Sequence, residues 1–386
     1  MPTDLKPAID NAVEIVRKNV AEFGPGHYPC DCTINGYYPV RKAKDDWVAG
    51  ANQGWTTSFV PGQEWLAYEF TKDPVFKESG LAYADDFARR VHDREDLDTH
   101  DLGFLYSLSN VVPYRMFGRP EDREAALAAA DALMDRFLEP AGIIQAWGTL
   151  SDPDQRGRTI IDSLMNMPLL TWAYQETGDK KYADAVRRHC AQLAKHIVRA
   201  DNTTFHTFYW DPETGEPLRG ATAQGAHDDS CWARGQAWGI YGFAMNYQAT
   251  GDPELLTASR RCADYFLSHL PKDGVPFWDL IFTDGDDEPR DSSSAAIAAC
   301  GLQQLAEVET DPERAARYLA AGRKLLDDLI AKYTPAAEHE ASNAQILHSV
   351  YSKPAGDGVD EGCLWGDYFF MEALMRYENP DWRRYW

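Results

Sequence analysis

Two segments of the chain, residues 161–175 and 232–248, are apolar on nearly every side when drawn as α-helices. A helix of this kind must be enclosed by protein all round, because any face left in water would expose apolar surface. The helix expected at 180–199 differs, since its charged residues lie opposite a single apolar stripe. That stripe consists of Ala183, Val186, Cys190, Leu193 and Ile197. The chain therefore alternates fully buried helices with half-exposed ones.

A recurring turn separates these helices. Asp or Gly ends one helix and caps the next, and Pro suits a first helical turn because its missing N–H is not needed there. The turns are Lys72-Asp73-Pro74, Arg119-Pro120, Gly178-Asp179, Gly251-Asp252-Pro253 and Thr310-Asp311-Pro312. The pattern predicts about twelve helices, at 7–22, 62–72, 76–93, 102–117, 121–136, 161–177, 180–199, 229–249, 253–270, 292–308, 312–332 and 362–376.

Twelve alternating helices make six hairpins, which predicts an all-α protein. Their economical closed arrangement is a double ring, the (α/α)6 toroid or six-hairpin barrel. An open helical solenoid is the alternative, and we favour closure because neither end carries a polar capping repeat. No linker rich in Pro or Ser divides residues 1–386, so we expect one catalytic domain. Strands are expected only in connections, at 203–210 and 275–282, and binding residues should lie in the long connections at one mouth of the ring.

The net charge of −23 limits the possible partners. Nucleic acids and anionic membranes bind basic surfaces, so we expect neither. A small anionic substrate is compatible with this charge, because one local cation outweighs a distant field that salt screens.

Seven scattered cysteines, an odd number, favour reduced thiols and a cytoplasmic location. The first residues predict an amphipathic helix and not a signal peptide.

Sequence motifs for metals, nucleotides and serine nucleophiles are missing from the chain. It has no HExxH, no P-loop, no GxGxxG after a strand and no GxSxG elbow. Cys30 and Cys32 are one residue too close for a CxxC pair. We therefore expect no metal and no cofactor.

Asp162 is the acidic residue whose surroundings are most unusual. Its neighbours Ile160, Ile161, Leu164 and Met165 favour burial. A buried carboxyl must be paired, hydrogen-bonded or protonated, and burial raises its pKa, which is what a general acid needs near neutral pH. The alternative is a helix N-cap, a role that Asp fills well. Asp101 begins another buried helix and has the same two interpretations. In a toroid, however, Asp101 and Asp162 would face the same mouth, which favours a functional role for the pair.

Arg234 and Trp238 lie four residues apart and so share one face of a buried helix. A buried Arg needs an anion, which Asp228 or Asp229 would supply structurally and a substrate carboxylate would supply functionally. His100 and His206 are candidate partners for sugar hydroxyls.

The HDLGF stretch around Asp101, the IIDSLMNMPLL stretch around Asp162, and QGAHDDSCWARGQAWGIYGF resemble the unsaturated glucuronyl hydrolases, glycoside hydrolase family 88. The similarity extends to GVDEGCLWGDYFFMEALMR at 358–376. The resemblance implies a six-hairpin toroid that removes the 4,5-unsaturated uronic acid left by polysaccharide lyases at the non-reducing end of glycosaminoglycan fragments of chondroitin, hyaluronan or heparin type. It implies hydration of the C4=C5 bond, with Asp162 protonating C4 and activating water toward C5, and Asp101 supporting it.

The resemblance also implies a substrate-binding set. It comprises Trp55, His100, Trp147, His206, Gln224, Arg234 and Trp238. Ser349, Ser352 and Lys353 are similar, at imperfect spacing, to a Ser/Lys motif that holds sulfate in some members.

Two other functions are alternatives. One is an unsaturated rhamnogalacturonyl hydrolase or another toroid glycosidase, and the other is a non-catalytic oligosaccharide-binding protein. We expect a monomer or a homodimer.

Overall fold

The computed structural model describes residues 4–44, 46–152 and 155–386, and within them it contains fourteen α-helices. The helices are α1 (Lys6–Phe23), α2 (Phe59–Thr71), α3 (Pro74–His92), α4 (Leu102–Tyr106), α5 (Val112–Phe117), α6 (Pro120–Met134), α7 (Met167–Thr177), α8 (Lys180–His196), α9 (Ala233–Thr250), α10 (Pro253–Ser268), α11 (Ser292–Val308), α12 (Pro312–Lys332), α13 (Pro335–Glu338) and α14 (Leu364–Glu378). The predicted predominance of helix is confirmed.

The recurring turns cap the helices that follow them. The side chains of Asp73, Asp179, Asp252 and Asp311 each accept a hydrogen bond from the backbone N–H two residues later. These bonds satisfy N–H groups that the first helical turn cannot pair internally. The helices α3, α8, α10 and α12 therefore begin where the sequence places them to within two residues.

Two predicted helices are interrupted, and proline explains both breaks. Residues 102–117 form α4, a π-helical segment Ser107–Val111 and α5, which carries Pro113 at its start. Residues 161–177 form a 3-10 segment, Ile161–Met165, followed by α7 with Pro168 near its start. Because proline has no N–H to donate to the preceding turn, the regular hydrogen-bond pattern has to restart there.

Short antiparallel strands occupy several connections. They are β1 (Phe137–Leu138), β2 (Ile143–Ile144), β3 (Arg158–Ile160), β4 (Thr207–Trp210), β5 (Pro217–Ala221), β6 (Ser349–Ser352) and β7 (Asp357–Glu361). Strand β1 pairs with β2, β6 pairs with β7, and the third sheet has the order β3-β4-β5. The strand predicted at 203–210 is present as β4.

The strand predicted at 275–282 is wrong. Phe277 and Asp279 form isolated bridges with two different partners, Arg290 and Trp232, and no ladder develops.

The helices fall into a buried set and a half-exposed set. Every residue from Ala233 to Asn246 in α9 is buried, whereas α8 buries one stripe. The buried helix α9 packs on α11, α11 on α14, α14 on α2, α2 on the 107–111 segment, and α4 on α7. The half-exposed helices α3, α8, α10 and α12 pack against α2, α7, α9 and α11 respectively. Within the described residues, no helix combines the length and the apolar composition that a membrane crossing requires.

Gly103 allows the start of α4 to touch the segment that precedes α7. A Cβ atom at this position would overlap the backbone of Asn166. The Asn166 side chain in turn accepts a hydrogen bond from the N–H of Phe104 (2.8 Å). The contact brings residues 101 and 162, at the starts of two different buried helices, to the same place.

We expect the substitution Gly103→Ala to destabilise the protein at or above the upper end of the ~1–3 kcal/mol range for overpacking. A backbone neighbour cannot change rotamer to make room for the new methyl group. Urea unfolding measures the loss, and Glu124→Ala on the exposed face of α6 serves as a control that should stay within ~0.5 kcal/mol. Equal stability of the two variants would contradict the close approach.

Candidate active site

One cavity collects side chains from the N-terminal ends of several buried helices and from the connections before them. Its volume is about 230 Å³. It is lined by Trp55, His100, Asp101, Trp147, Ile160, Asp162, His206, Ala223, Gln224, Trp232, Arg234, Trp238 and Tyr351. Nine of the twelve residues that the sequence nominated for the site lie here.

Asp101 and Asp162 face a single imidazole. His100 Nε2 lies 3.3 Å from Asp101 Oδ1 and 3.4 Å from Asp162 Oδ1. The His100 side chain is 2% exposed, and the two carboxylates are 14% and 15% exposed. The geometry is a histidine held between two nearly buried carboxylates.

The two carboxyl groups have opposite pKa shifts. Burial raises the pKa of Asp162 to about 6, with a further increase from Asp101, although His100 and Arg234 oppose it. Burial also acts on Asp101, but the charge of His100 and hydrogen bonds outweigh it and lower its pKa. The pKa of His100 is raised, since the two carboxylates overcome the effect of burial. Of the two carboxyl groups, Asp162 keeps its proton up to about pH 6, whereas Asp101 ionises at lower pH.

Neighbouring side chains fix this arrangement. Thr99 Oγ1 donates to Asp101 Oδ2 (2.6 Å). Beside Asp162, Ser163 Oγ donates to the carbonyl of Ile160 (2.6 Å) and lies 2.8 Å from Nε2 of the buried His189. The Nδ1 atom of His189 accepts from a backbone N–H, so the proton of this neutral ring is on Nε2. The segment that carries Asp162 is therefore held from both sides.

His206 presents a hydrogen-bond donor to the cavity. Its Nδ1 accepts from the N–H of Ala223 (3.4 Å) and lies 2.6 Å from Thr207 Oγ1. Burial, followed by the charges of Arg234 and His100, lowers its pKa to about 3, so the ring is neutral with its proton on Nε2. Among the described residues, His206 Nε2 and Asp162 Oδ1 are buried atoms without a hydrogen-bond partner. Such atoms in a cavity are suited to binding a ligand.

Arg234 is bound by the protein on both terminal nitrogens. Nη1 donates to the carbonyl of Val350 and lies 3.4 Å from Asp291 Oδ2. Nη2 donates to Gln224 Oε1 (2.6 Å) and to the carbonyl of Tyr351 (2.8 Å). The buried counterion expected from Asp228 or Asp229 is therefore Asp291, a correction that follows from the fold: residue 291 caps α11, which packs on α9.

The charge of Arg234 faces the cavity, but its two terminal nitrogens already have protein acceptors. The guanidinium also lies over the rings of Trp232 and Trp365, at 4.4 and 4.9 Å from their centroids. Its contacts orient the Gln224 amide, whose nitrogen remains a donor for a ligand.

Aromatic side chains form the walls. Trp55 stacks on Trp365 (5.1 Å, 29°) and donates from Nε1 to Tyr351 Oη (3.0 Å). Trp238 and Trp147 line other parts of the cavity. Indole rings that line a cavity suit the apolar faces of pyranose rings.

Ser349, Ser352 and Lys353 lie outside this cavity. Ser349 is wholly buried and its hydroxyl lies 2.8 Å from that of Ser292. Ser352 is also buried, and Lys353 lines a separate cavity, where its Nζ is 3.9 Å from Glu288 Oε2.

The His100, Asp101 and Asp162 side chains are also the one group of three or more His, Cys, Asp or Glu residues within the described ranges whose ligand atoms all lie within 4.8 Å of one another. The electrostatic attraction between His100 and the two carboxylates accounts for this grouping by itself.

Sequence reasoning missed four residues that shape the site: Asn166, His189, Asp291 and Tyr351. Asp291 offered a usable signal, because it precedes the apolar run of α11 just as Asp162 precedes an apolar run. The other three gave none, since their roles depend on contacts between segments far apart in the chain.

The chain is similar to known proteins over nearly its whole length. A model of Glycosyl Hydrolase Family 88 matches residues 34–369. An unsaturated chondroitin disaccharide hydrolase of Streptococcus pneumoniae (strain ATCC BAA-255 / R6) is 43% identical over 98% of this chain and 93% of its own. An unsaturated glucuronyl hydrolase of Bacillus sp. (strain GL1) is 40% identical over 96% of each chain.

Solved structures agree. The crystal structure of unsaturated glucuronyl hydrolase from Streptococcus agalactiae superimposes with a TM-score of 0.91 at 42% identity, covering 100% of this chain and 95% of that one. A variant of that enzyme complexed with dGlcA-GalNAc6S gives a TM-score of 0.84 at 40% identity, covering 99% and 93%.

We expect Asp291→Ala to cost about 3–5 kcal/mol of stability, because it leaves the buried charge of Arg234 without its counterion. Denaturant unfolding measures this loss. Asp184→Ala is the matched control: its partner is Arg187, both side chains are more than half exposed, and the expected cost is at most ~1 kcal/mol. Similar losses in the two variants would refute the buried pairing.

Proposed function

Because the chain belongs to Glycosyl Hydrolase Family 88, we propose that the cavity binds a 4,5-unsaturated glucuronic acid and that Asp162 and Asp101 are its catalytic residues. The chain is a hydrolase that removes this sugar from the non-reducing end of glycosaminoglycan oligosaccharides. The observation that carries the residue assignment is the opposite pKa shift of two carboxyl groups that share one histidine.

In the proposed reaction the Asp162 carboxyl donates its proton to C4 of the uronate. The C4=C5 π electrons form the new C–H bond, and O5 stabilises the cation that develops at C5. Water adds to C5 and returns a proton to Asp162. The hemiketal then opens: the C5–O5 bond breaks, C5 becomes a ketone, and the hemiacetal left at C1 releases the remaining sugars as an alcohol.

This reaction needs a protonated carboxyl first and a base later, and the site supports both roles. A vinyl-ether carbon is a weak base, so a carboxyl that is protonated near neutral pH is required. The substrate carboxylate would raise the pKa of Asp162 further. Asp101 is ionised beside His100, and we assign it the role of orienting the ring and keeping Asp162 protonated.

The remaining cavity residues are proposed to bind the sugar. His206 Nε2 and the Gln224 amide nitrogen donate to its oxygens, His100 contacts its hydroxyls, and the charge of Arg234 attracts its carboxylate without a bidentate clamp. Trp55, Trp147 and Trp238 pack on sugar faces.

Chondroitin-type disaccharides are the proposed preferred substrates. Two facts support this: the 43% identical S. pneumoniae relative is named a chondroitin disaccharide hydrolase, and the S. agalactiae variant holds dGlcA-GalNAc6S. The relatives that support this assignment are similar to the chain over almost all of its length.

For the fold we propose the (α/α)6 toroid with one domain. The support is the series of contacts from α2 through the 107–111 segment, α4, α7, α9, α11 and α14 back to α2. A cytoplasmic location is proposed on the basis of seven free thiols.

We expect Asp162→Asn to abolish loss of the ultraviolet absorbance of the C4=C5 bond when purified protein meets lyase-generated chondroitin disaccharides. Asn cannot donate a carboxyl proton. Asp98→Asn, an exposed residue near the same site, is the control and should keep wild-type turnover. Absence of turnover by the wild type on every unsaturated glucuronyl disaccharide would refute the proposed function. Turnover only on pectin-derived disaccharides would instead identify an unsaturated rhamnogalacturonyl hydrolase.

The pKa of Asp162 also predicts a pH profile. The reactive form is protonated, so kcat/KM should be flat below about pH 6 and fall about tenfold per unit above it. Thermal stability recorded over the same range separates this loss from unfolding. A profile that rises through pH 6 to 8 would contradict Asp162 as the acid.

A further inference from the structure

A second, larger cavity opens beside the proposed active site. Its volume is about 840 Å³, and it shares Trp55 and Tyr351 with the smaller cavity. The hydrogen bond between these two side chains forms the boundary between the cavities. Ligand sites usually have volumes of ~300–1,000 Å³, so the smaller cavity suits one sugar ring and the larger one suits several.

Three basic residues, Arg41, Lys42 and Lys44, lie on one wall of the larger cavity together with Trp47. Arg41 is neutralised by Asp31, with its Nη2 2.9 Å from Oδ1. Lys42 and Lys44 are exposed, and in the described part of the chain neither ammonium group lies within 4.0 Å of a carboxylate.

Most acids of this cavity are already bonded elsewhere. Asp96 pairs with Arg90 (3.0 Å), and Glu361 accepts from the N–H groups of Asn35 (2.8 Å) and Gly36 (3.2 Å). Asp357 is the acid without such a partner among the residues described. Glu361 keeps its negative charge, because its donors are neutral N–H groups. The charges without an ion-pair partner among the described residues of this cavity are therefore the two ammonium groups of Lys42 and Lys44 and the two carboxylates of Asp357 and Glu361, in a protein whose net charge is −23.

The orientation of the bound oligosaccharide would place the sugars that follow the uronate in the larger cavity. The unsaturated uronate is the non-reducing end, so every further sugar extends out of the smaller cavity. The larger cavity continues from it past Trp55 and Tyr351. Each further disaccharide of a glycosaminoglycan carries carboxylate or sulfate oxyanions, which ammonium groups bind as point charges.

We propose that Lys42 and Lys44 bind oxyanions, either sulfate or carboxylate, on the sugars that follow the cleaved uronate, and that Trp47 packs on one of their rings. This inference rests on the proposed function. Oxyanion binding by Lys42 and Lys44 would make the protein prefer longer or sulfated anionic fragments. Residues that precede α2 would then determine this selectivity. Ser349, Ser352 and Lys353 would not, because they lie outside both cavities.

The test is the double variant Lys42→Gln/Lys44→Gln. Binding is measured by calorimetry in the Asp162→Asn background, and turnover in the otherwise wild-type chain. The probes are an unsulfated unsaturated chondroitin disaccharide, its sulfated form, and an unsulfated unsaturated hyaluronan tetrasaccharide. Two solvent-exposed charge contacts predict a roughly two- to thirty-fold weaker Kd and higher KM for a probe with the recognised oxyanion, with kcat unchanged.

The matched control is Lys180→Gln/Lys195→Gln in α8, which removes the same charge outside both cavities. It should leave all three probes unaffected. A loss confined to the sulfated disaccharide assigns a sulfate site, and a loss confined to the tetrasaccharide assigns a carboxylate site.

Three results overturn the inference: no change with any probe, an equal change with the unsulfated disaccharide, or an equal change in the control. None of these affects the proposed function, which fails if the wild type turns over no unsaturated glucuronyl disaccharide.

Discussion

The first turn of a buried helix contains N–H groups that neither the helix nor water can satisfy, and this constraint organises the whole structure. Among the buried helices, α11 and α4 meet this requirement with side chains that lie at or beside the cavity. Asp291 caps α11 while it neutralises Arg234 from α9, and Asn166 accepts from the start of α4. Asp291 and Asn166 thus serve the fold at the same place where the proposed site lies.

The same convergence explains how a protein of net charge −23 can act on an anion. Helix N-termini carry partial positive charge, and several of them point to one cavity together with Arg234. Carboxylates elsewhere on the surface are screened by salt, whereas groups inside the cavity are not. Local geometry therefore outweighs the overall charge.

The sequence predicts contacts between residues that are close along the chain better than contacts between distant segments. The alternation of buried and half-exposed helices and the Asp caps are local, and they were predicted within a few residues. Asp162 was nominated because its apolar neighbours predict burial, and the structure places it in the cavity beside His100 and Asp101. The catalytic role of Asp162 stays a prediction. The partner of Arg234 could not be chosen correctly, since Asp228 is near in sequence whereas Asp291 is near only after α9 and α11 pack. The same limit applies to Ser349 and Lys353: spacing alone does not tell on which side of a β-hairpin a side chain emerges.

The stacking of Trp55 on Trp365 joins two parts of the chain that are far apart in sequence, and this affects synthesis of the protein. At ~5–20 residues per second, a ribosome takes on the order of 15–60 s to add the residues between them. During that interval helix α2 lacks α14, its partner over much of its apolar surface, and contacts of such long sequence separation form slowly. The apolar surface that α2 buries against α14 therefore stays uncovered until α14 has emerged from the ribosome, so the Trp55 wall of the cavity is completed last.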